Sequence, residues 1–89
     1  MNYLIIRHKV EDFNKWKPVY DQHLSARKAA GLNDVHVWRN LENPNEVVLL
    51  FEVADIAKAK EFSGSPDLKE KMQEAGVLGP PDVIFLSDK

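Results

Sequence analysis

The sequence predicts an α+β fold of ferredoxin-like type, a βαββαβ chain with a four-stranded antiparallel sheet and its helices on one face. Three observations predict it. Periodic segments follow one another in the order strand, helix, strand, strand, helix, strand. The chain has 89 residues, enough for one domain spanning residues 1–89, with no repeat and no linker that would divide it. Three of the strands are apolar on both faces, whereas the helices suffice for one. The uncovered face calls for a second copy of the sheet, so the sheets are expected to pair into a dimeric barrel, a homodimer.

The first strand is "YLIIRHKV", Tyr3 to Val10, rich in β-branched and aromatic residues. Asp12 is the expected N-cap of the long helix that follows, and Gly31 its C′ residue. Pro18 lacks the N–H that would bond the carbonyl four residues back, so a kink or a fresh start is expected in the first turn. "VHVWRNL", Val35 to Leu41, is the second strand, "ENPN" a tight turn, and "EVVLLFEV", Glu46 to Val53, the third strand. Asp55 caps "IAKAKEF", and "SGSP" interrupts it. Ser65 and Pro66 then stand at N-cap and N1 of "PDLKEKMQEAG", which Gly76 ends. "VLGPP" reads as a connector, and "DVIFL", Asp82 to Leu86, as the fourth strand.

Composition removes whole classes of function. There are no cysteines, hence no disulfides, thiolate metal sites or cysteine nucleophiles. Twelve basic and 14 acidic residues give a net charge of −2 without blocks, so no nucleic-acid partner is expected. The apolar start, Tyr3 to Ile6, is too short for a signal core or a membrane span, and a cytoplasmic protein with no membrane partner is expected. The three histidines lie on different elements with no close ligand pair, so no metal is expected. No phosphate-cradling glycine loop and no nucleophile elbow is present.

The strings "VEDFNKWK", "NPNEVVLLFEV", "SPDLKEKM" and "AGVLGPPDVIFL" resemble the dimeric α/β-barrel superfamily, and within it the antibiotic biosynthesis monooxygenase-like and cyclase-like small bacterial proteins. The resemblance spans nearly the whole chain. It implies a ferredoxin-like subunit, a dimer, and a cavity between helices and sheet. Studied members carry an asparagine in the first strand and a tryptophan late in the third. Here those stretches read Ile5, Ile6, Arg7, His8 and Glu52, Val53.

The chemistry concentrates on one helical stripe. Trp16, Tyr20, His23 and Arg27 are four, three and four residues apart and share a face with Phe13 and Leu24. A stripe that begins in aromatics and ends in His and Arg either runs off the core edge or borders a polar pocket. On the pocket reading, Arg27 binds an anion or carbonyl, His23 transfers a proton, and Tyr20 donates a hydrogen bond. Trp16 and Trp38 form an aromatic wall, and His8 and His36 add polar groups from the strands. Pairing Leu41 with Glu46 across the hairpin puts His36, Trp38 and Asn40 on the face of Val47, Leu49 and Phe51, with Arg39 on the other.

The function expected is binding of a small aromatic, carbonyl-bearing or anionic molecule. As an enzyme the protein would be a cofactor-independent monooxygenase or cyclase. The alternative is a non-catalytic or structural dimer in which the same polar residues lock helix to sheet.

Overall fold

The structure, a computed structural model, describes residues 1–88. Strand β1 is Asn2–Val10, helix α1 Phe13–Gln22, α2 Leu24–Ala29, β2 Leu32–Arg39, β3 Glu46–Val53, α3 Ile56–Ser63, α4 Pro66–Glu74 and β4 Val77–Ser87. The strands form one sheet in the order β2-β3-β1-β4, and every neighbouring pair is antiparallel. This is the ferredoxin-like arrangement that the element order predicts.

Alternation along β1 and β3 separates the two faces. Leu4, His8 and Val10 are buried beneath the helices, as are Val47, Leu49, Phe51 and Val53. Ile5, Val48 and Leu50 point the other way and are half-buried. None of the described helices lies on that second face, which Trp38, Ile84 and Leu86 share at 45%, 49% and 43% exposure.

The caps fall where expected. Asp12 accepts from the N–H of Asn14, Asp55 from Lys58, and Ser65 from Leu68 with Pro66 opening α4. Gly31 and Gly76 have φ of 78° and 80°, the left-handed conformation that closes a helix. Pro18 does not interrupt α1, which runs through it to Gln22. The break comes at His23, where φ and ψ of −94° and 13° separate α1 from α2. Proline perturbs the turn before it, and here both Pro18 and Asn14 are exposed, which leaves water access to the turn that loses its bond.

Two strand boundaries also differ from expectation. "VLGPP" belongs to β4 rather than to a connector. Arg7 pairs with Asp82 and Lys9 with Leu78, so Gly79, Pro80 and Pro81 bulge out opposite the single residue His8. An edge strand tolerates two prolines at such a bulge because their missing donors cost no ladder bond. On the other side, Arg39 rather than Leu41 pairs next to Glu46, facing Val47. Asn40 donates its N–H to the Glu46 carbonyl, and Glu46 donates to Asn43. A one-residue change of register moves every side chain to the opposite face. His36 and Trp38 therefore lie on the open face against Leu50 and Val48, and Arg39 lies on the helix face with its guanidinium over the Phe13 ring.

Candidate functional site

Between the sheet and the helices lies a cavity of about 70 Å³. Its floor is Leu4, Ile6, Leu49 and Phe51 of the two central strands, and its walls include Trp16 and Val19 of α1 and Leu68 and Met72 of α4. Polar residues also line it: Ser63 of α3 and Lys71 of α4, and four whose spacing the sequence shows, His8 of β1, Tyr20 of α1, His23 between α1 and α2, and Arg27 of α2. Helical spacing accounts for three of them, and strand alternation for the fourth.

His8 is only 7% exposed, and neither ring nitrogen has a hydrogen-bond partner among the described residues. Its ring meets Trp16 edge-on at 5.5 Å. Burial pushes its pKa down to about 4, so the imidazole is neutral at neutral pH. One nitrogen is then a donor and the other an acceptor. A buried imidazole with both positions open is uncommon, because each unmade bond costs about 1–3 kcal/mol.

The Tyr20 hydroxyl is buried too and makes no hydrogen bond of good geometry among the described residues, but the Asp34 carboxylate lies near enough to act on it as an acceptor. Burial raises its pKa above the ordinary 10.0; the Arg27 charge opposes that rise and Asp34 adds to it. The phenol is accordingly a donor, not a base. Trp16 stacks on the Tyr20 ring at 4.7 Å, and the Arg27 guanidinium lies over it at 3.7 Å.

Arg27 is 4% exposed and already well engaged. Its Nε and Nη2 donate to the two carboxylate oxygens of Asp34 at 3.0 and 2.9 Å, and Nη1 donates to the Tyr20 carbonyl. Asp34 reaches it because the ladder slips between Asp34 and His36. Without that bulge Asp34 would face the open side. The sequence offered no signal for it beyond the need of a buried arginine for a carboxylate.

His23 caps α1 and precedes α2, with its ring against Phe62 at 5.8 Å. Burial, and then the charges of Arg27 and Lys71, lower its pKa, with Asp67 opposing. Trp38 and His36 stack on each other at 4.7 Å on the open face, across the sheet from this cavity. The structure thus gathers His8, Trp16, Tyr20, His23 and Arg27, and separates His36 and Trp38 from them. Among the described residues no three His, Cys, Asp or Glu side chains stand close enough to hold a metal ion. No helix among them is long and apolar enough to cross a membrane.

No family model matches the sequence, and no curated protein matches it. Solved structures do match its fold. A candidate antibiotic biosynthesis monooxygenase of Bordetella bronchiseptica superposes with a TM-score of 0.77 at 18% identity, over 99% of this chain and 96% of that one. A conserved protein of Methanosarcina mazei gives 0.73 at 17% identity, over 99% and 92% of the two chains. A candidate monooxygenase of the same description from Caulobacter crescentus gives 0.72 at 16%, over 96% and 86%. The class is therefore a ferredoxin-like α+β subunit. Its particular form is the fold that these three solved structures share.

Proposed function

We propose that this protein binds a small uncharged molecule carrying a phenol or carbonyl oxygen, with that oxygen directed to His8 and Tyr20. The observation that carries the reading is the buried His8 imidazole, unpartnered at both nitrogens among the described residues, with Tyr20 also lining the cavity. Charge favours a neutral ligand over an anion. His8 is uncharged at neutral pH, and Arg27 already shares its charge with Asp34. An anion would have to compete with that carboxylate.

If the protein is an enzyme, the same two groups suit a cofactor-independent oxygenase or cyclase. Such chemistry needs an acceptor for a proton next to a carbonyl and a donor for the enolate oxygen that forms. Neutral His8 supplies the acceptor and Tyr20 the donor. A base whose conjugate acid has a pKa of about 4 removes only an activated proton, which directs the reading to phenols and 1,3-dicarbonyl compounds. We place His23 at the rim of this site and Trp16 in its wall. The open sheet face, with Trp38 and His36 on it, is proposed to pair with a second copy of the chain. The test is a thermal-shift series with phenol, 2-naphthol and acetylacetone on wild type and His8→Leu. Stabilisation of wild type that disappears in His8→Leu supports the site. Equal shifts in both, or none, overturn it.

A second reading has its own observation. The bidentate Arg27–Asp34 pair and the Arg27 bond to the Tyr20 carbonyl tie α1, α2 and β2 together. On that reading Arg27 is a strut of a non-catalytic dimer and contacts no ligand.

A further inference from the structure

A cavity of about 70 Å³ is small for the ligand just described. An apolar cavity of about 150 Å³ is the scale that takes benzene. A ring-sized molecule therefore has to extend beyond this space, out through its open side or past one of its walls. Two walls are thin. Ser63 and Met72 separate the interior from a groove along α4 and the Gly79–Pro81 bulge. His23 and Phe62 separate it from a second groove of about 380 Å³, bordered by Ala26 and Ala30 of the α2 side and by Lys58 and Glu61 of α3.

The second wall is the weaker. His23 sits at the break between α1 and α2, and no side-chain bond holds it as a cap. Phe62 lies in the last turn of α3, one residue before that helix ends at Ser63 and two before Gly64. Helix ends open locally at lower cost than helix middles. Ser63 and Met72 also stand in the last turns of α3 and α4, so what sets the second wall apart is His23, at a break between two helices. The His23–Phe62 contact is a tilted ring pair at 5.8 Å, and no ion pair is broken when it parts. His23 also shares the helical stripe of Tyr20 and Arg27, so the wall adjoins the polar side of the cavity.

We propose that His23 and Phe62 form a movable wall, and that its displacement joins the interior cavity to the outer groove between α2 and α3. The inference rests on the binding reading above for its ligand, a ring-bearing molecule whose oxygen meets His8 and Tyr20 while its far side occupies the opened groove. The size limit on the ligand is then set by Phe62, not by the sheet.

Trp16 lines the cavity at 3% exposure and reports on access to it without any ligand. The chain has two tryptophans, so Trp38→Phe leaves Trp16 as the single emitter. Acrylamide, a small neutral quencher, must enter the cavity to reach it. In that background Phe62→Ala should raise the acrylamide quenching constant severalfold, and Phe62→Leu should raise it less. Met72→Ala, which thins the rival wall, should leave it near the parent value. Circular dichroism would confirm that each variant used is folded, with the leucine variant carrying the test if the alanine variant is not. Quenching that rises with Met72→Ala and not with the Phe62 variants overturns the inference, as does no change in either. A phenol titration of the same proteins separates the two readings. Quenching controlled by Phe62 with no phenol bound retains the wall and defeats the binding site. Phenol bound with quenching indifferent to Phe62 retains the site and defeats the wall.

Discussion

The two faces of the sheet are built from the same apolar strands, yet each has its own kind of exception. On the helix face Leu4, Val47, Leu49 and Phe51 are buried, and the exception among them is a polar residue, His8, without a hydrogen-bond partner among the described residues. On the open face Ile5, Leu50, Ile84 and Trp38 make an apolar patch beside the Arg7–Asp82 ion pair, and no described residue covers it. A polar group without a partner inside an apolar layer points to small-molecule chemistry. An apolar layer without a cover points to a macromolecular partner of similar shape. The comparison separates two roles that a continuous run such as "VVLLF" merges.

The largest effect should come from the open face. Wild type is expected to sediment at twice its chain mass of 10.2 kDa. Leu50→Lys and Ile84→Lys each place a charge in the middle of the proposed contact and should leave monomers, because an unpaired buried charge costs several kcal/mol. A wild-type monomer at micromolar concentration would break the comparison at its root.

The helix face should reveal itself through acid. The pKa of His8 falls from 6.5 in the unfolded chain to about 4 in the folded one. Between those values the unfolded state binds more protons, so stability is complete above pH 6.5 and is lost as the pH falls towards 4. The loss amounts to about 3 kcal/mol. His8→Leu should flatten this limb in urea titrations run between pH 7 and 4. At pH 7 the same change should stabilise by about 1 kcal/mol, because it removes two unpaired buried nitrogens. An unchanged acid limb would mean that His8 finds partners in solution.

Arg27 and Asp34 sharpen the picture from the rim of the cavity. Arg27 is the buried partner, with its side chain 5% exposed against 31% for Asp34. Removing the carboxylate strands a buried charge, whereas removing the guanidinium strands a group that water still reaches. Asp34→Asn is therefore expected to cost about 3 kcal/mol and Arg27→Met about 2 kcal/mol by chemical denaturation. The reverse order would mean that the guanidinium escapes to solvent when freed. Phenol binding retained in folded Arg27→Met would assign Arg27 to the frame of the site rather than to its ligand.

The sequence made the fold readable because its punctuation is strong: Asp12, Asp55 and Ser65 cap helices, and Gly31 and Gly76 close them. The stripe of Trp16, Tyr20, His23 and Arg27 was readable for the same local reason, the helical period. Strand residues were harder. Whether His8 or Arg7 faced the helices could not be read from strands apolar on both sides. Trp38 and His36 lie on the face opposite to the one a Leu41–Glu46 hairpin predicts, because the observed register differs by a single residue and strand period is two. Asp34, the partner of Arg27, needed a bulge that no residue type announces. Local periodicity is written in the sequence, whereas register is settled by tertiary pairing.

The smallest effect concerns a residue that the sequence made conspicuous and the structure makes quiet. Pro18 lies inside α1, six residues past the Asp12 cap, with no N–H to offer the Asn14 carbonyl. A proline in a helix interior costs about 3 kcal/mol relative to alanine in model helices. Two features reduce that here. Pro18 is exposed, as is Asn14, so water has access to the turn that loses its bond. Its fixed φ also restricts the unfolded chain, which returns up to about 1 kcal/mol. The helix continues to Gln22 regardless, held by Trp16 on its buried face and by the side chain of Asn45, which accepts from the Phe13 N–H at 3.0 Å. Pro18→Ala should therefore stabilise the protein by about 1 kcal/mol, seen as a higher denaturation midpoint with an unchanged slope. It should leave the oligomeric state and the acid limb as they were, since Pro18 touches neither face of the sheet. A loss of stability would show that the proline sets the angle at which α1 crosses the sheet, and with it the width of the cavity that His8 faces.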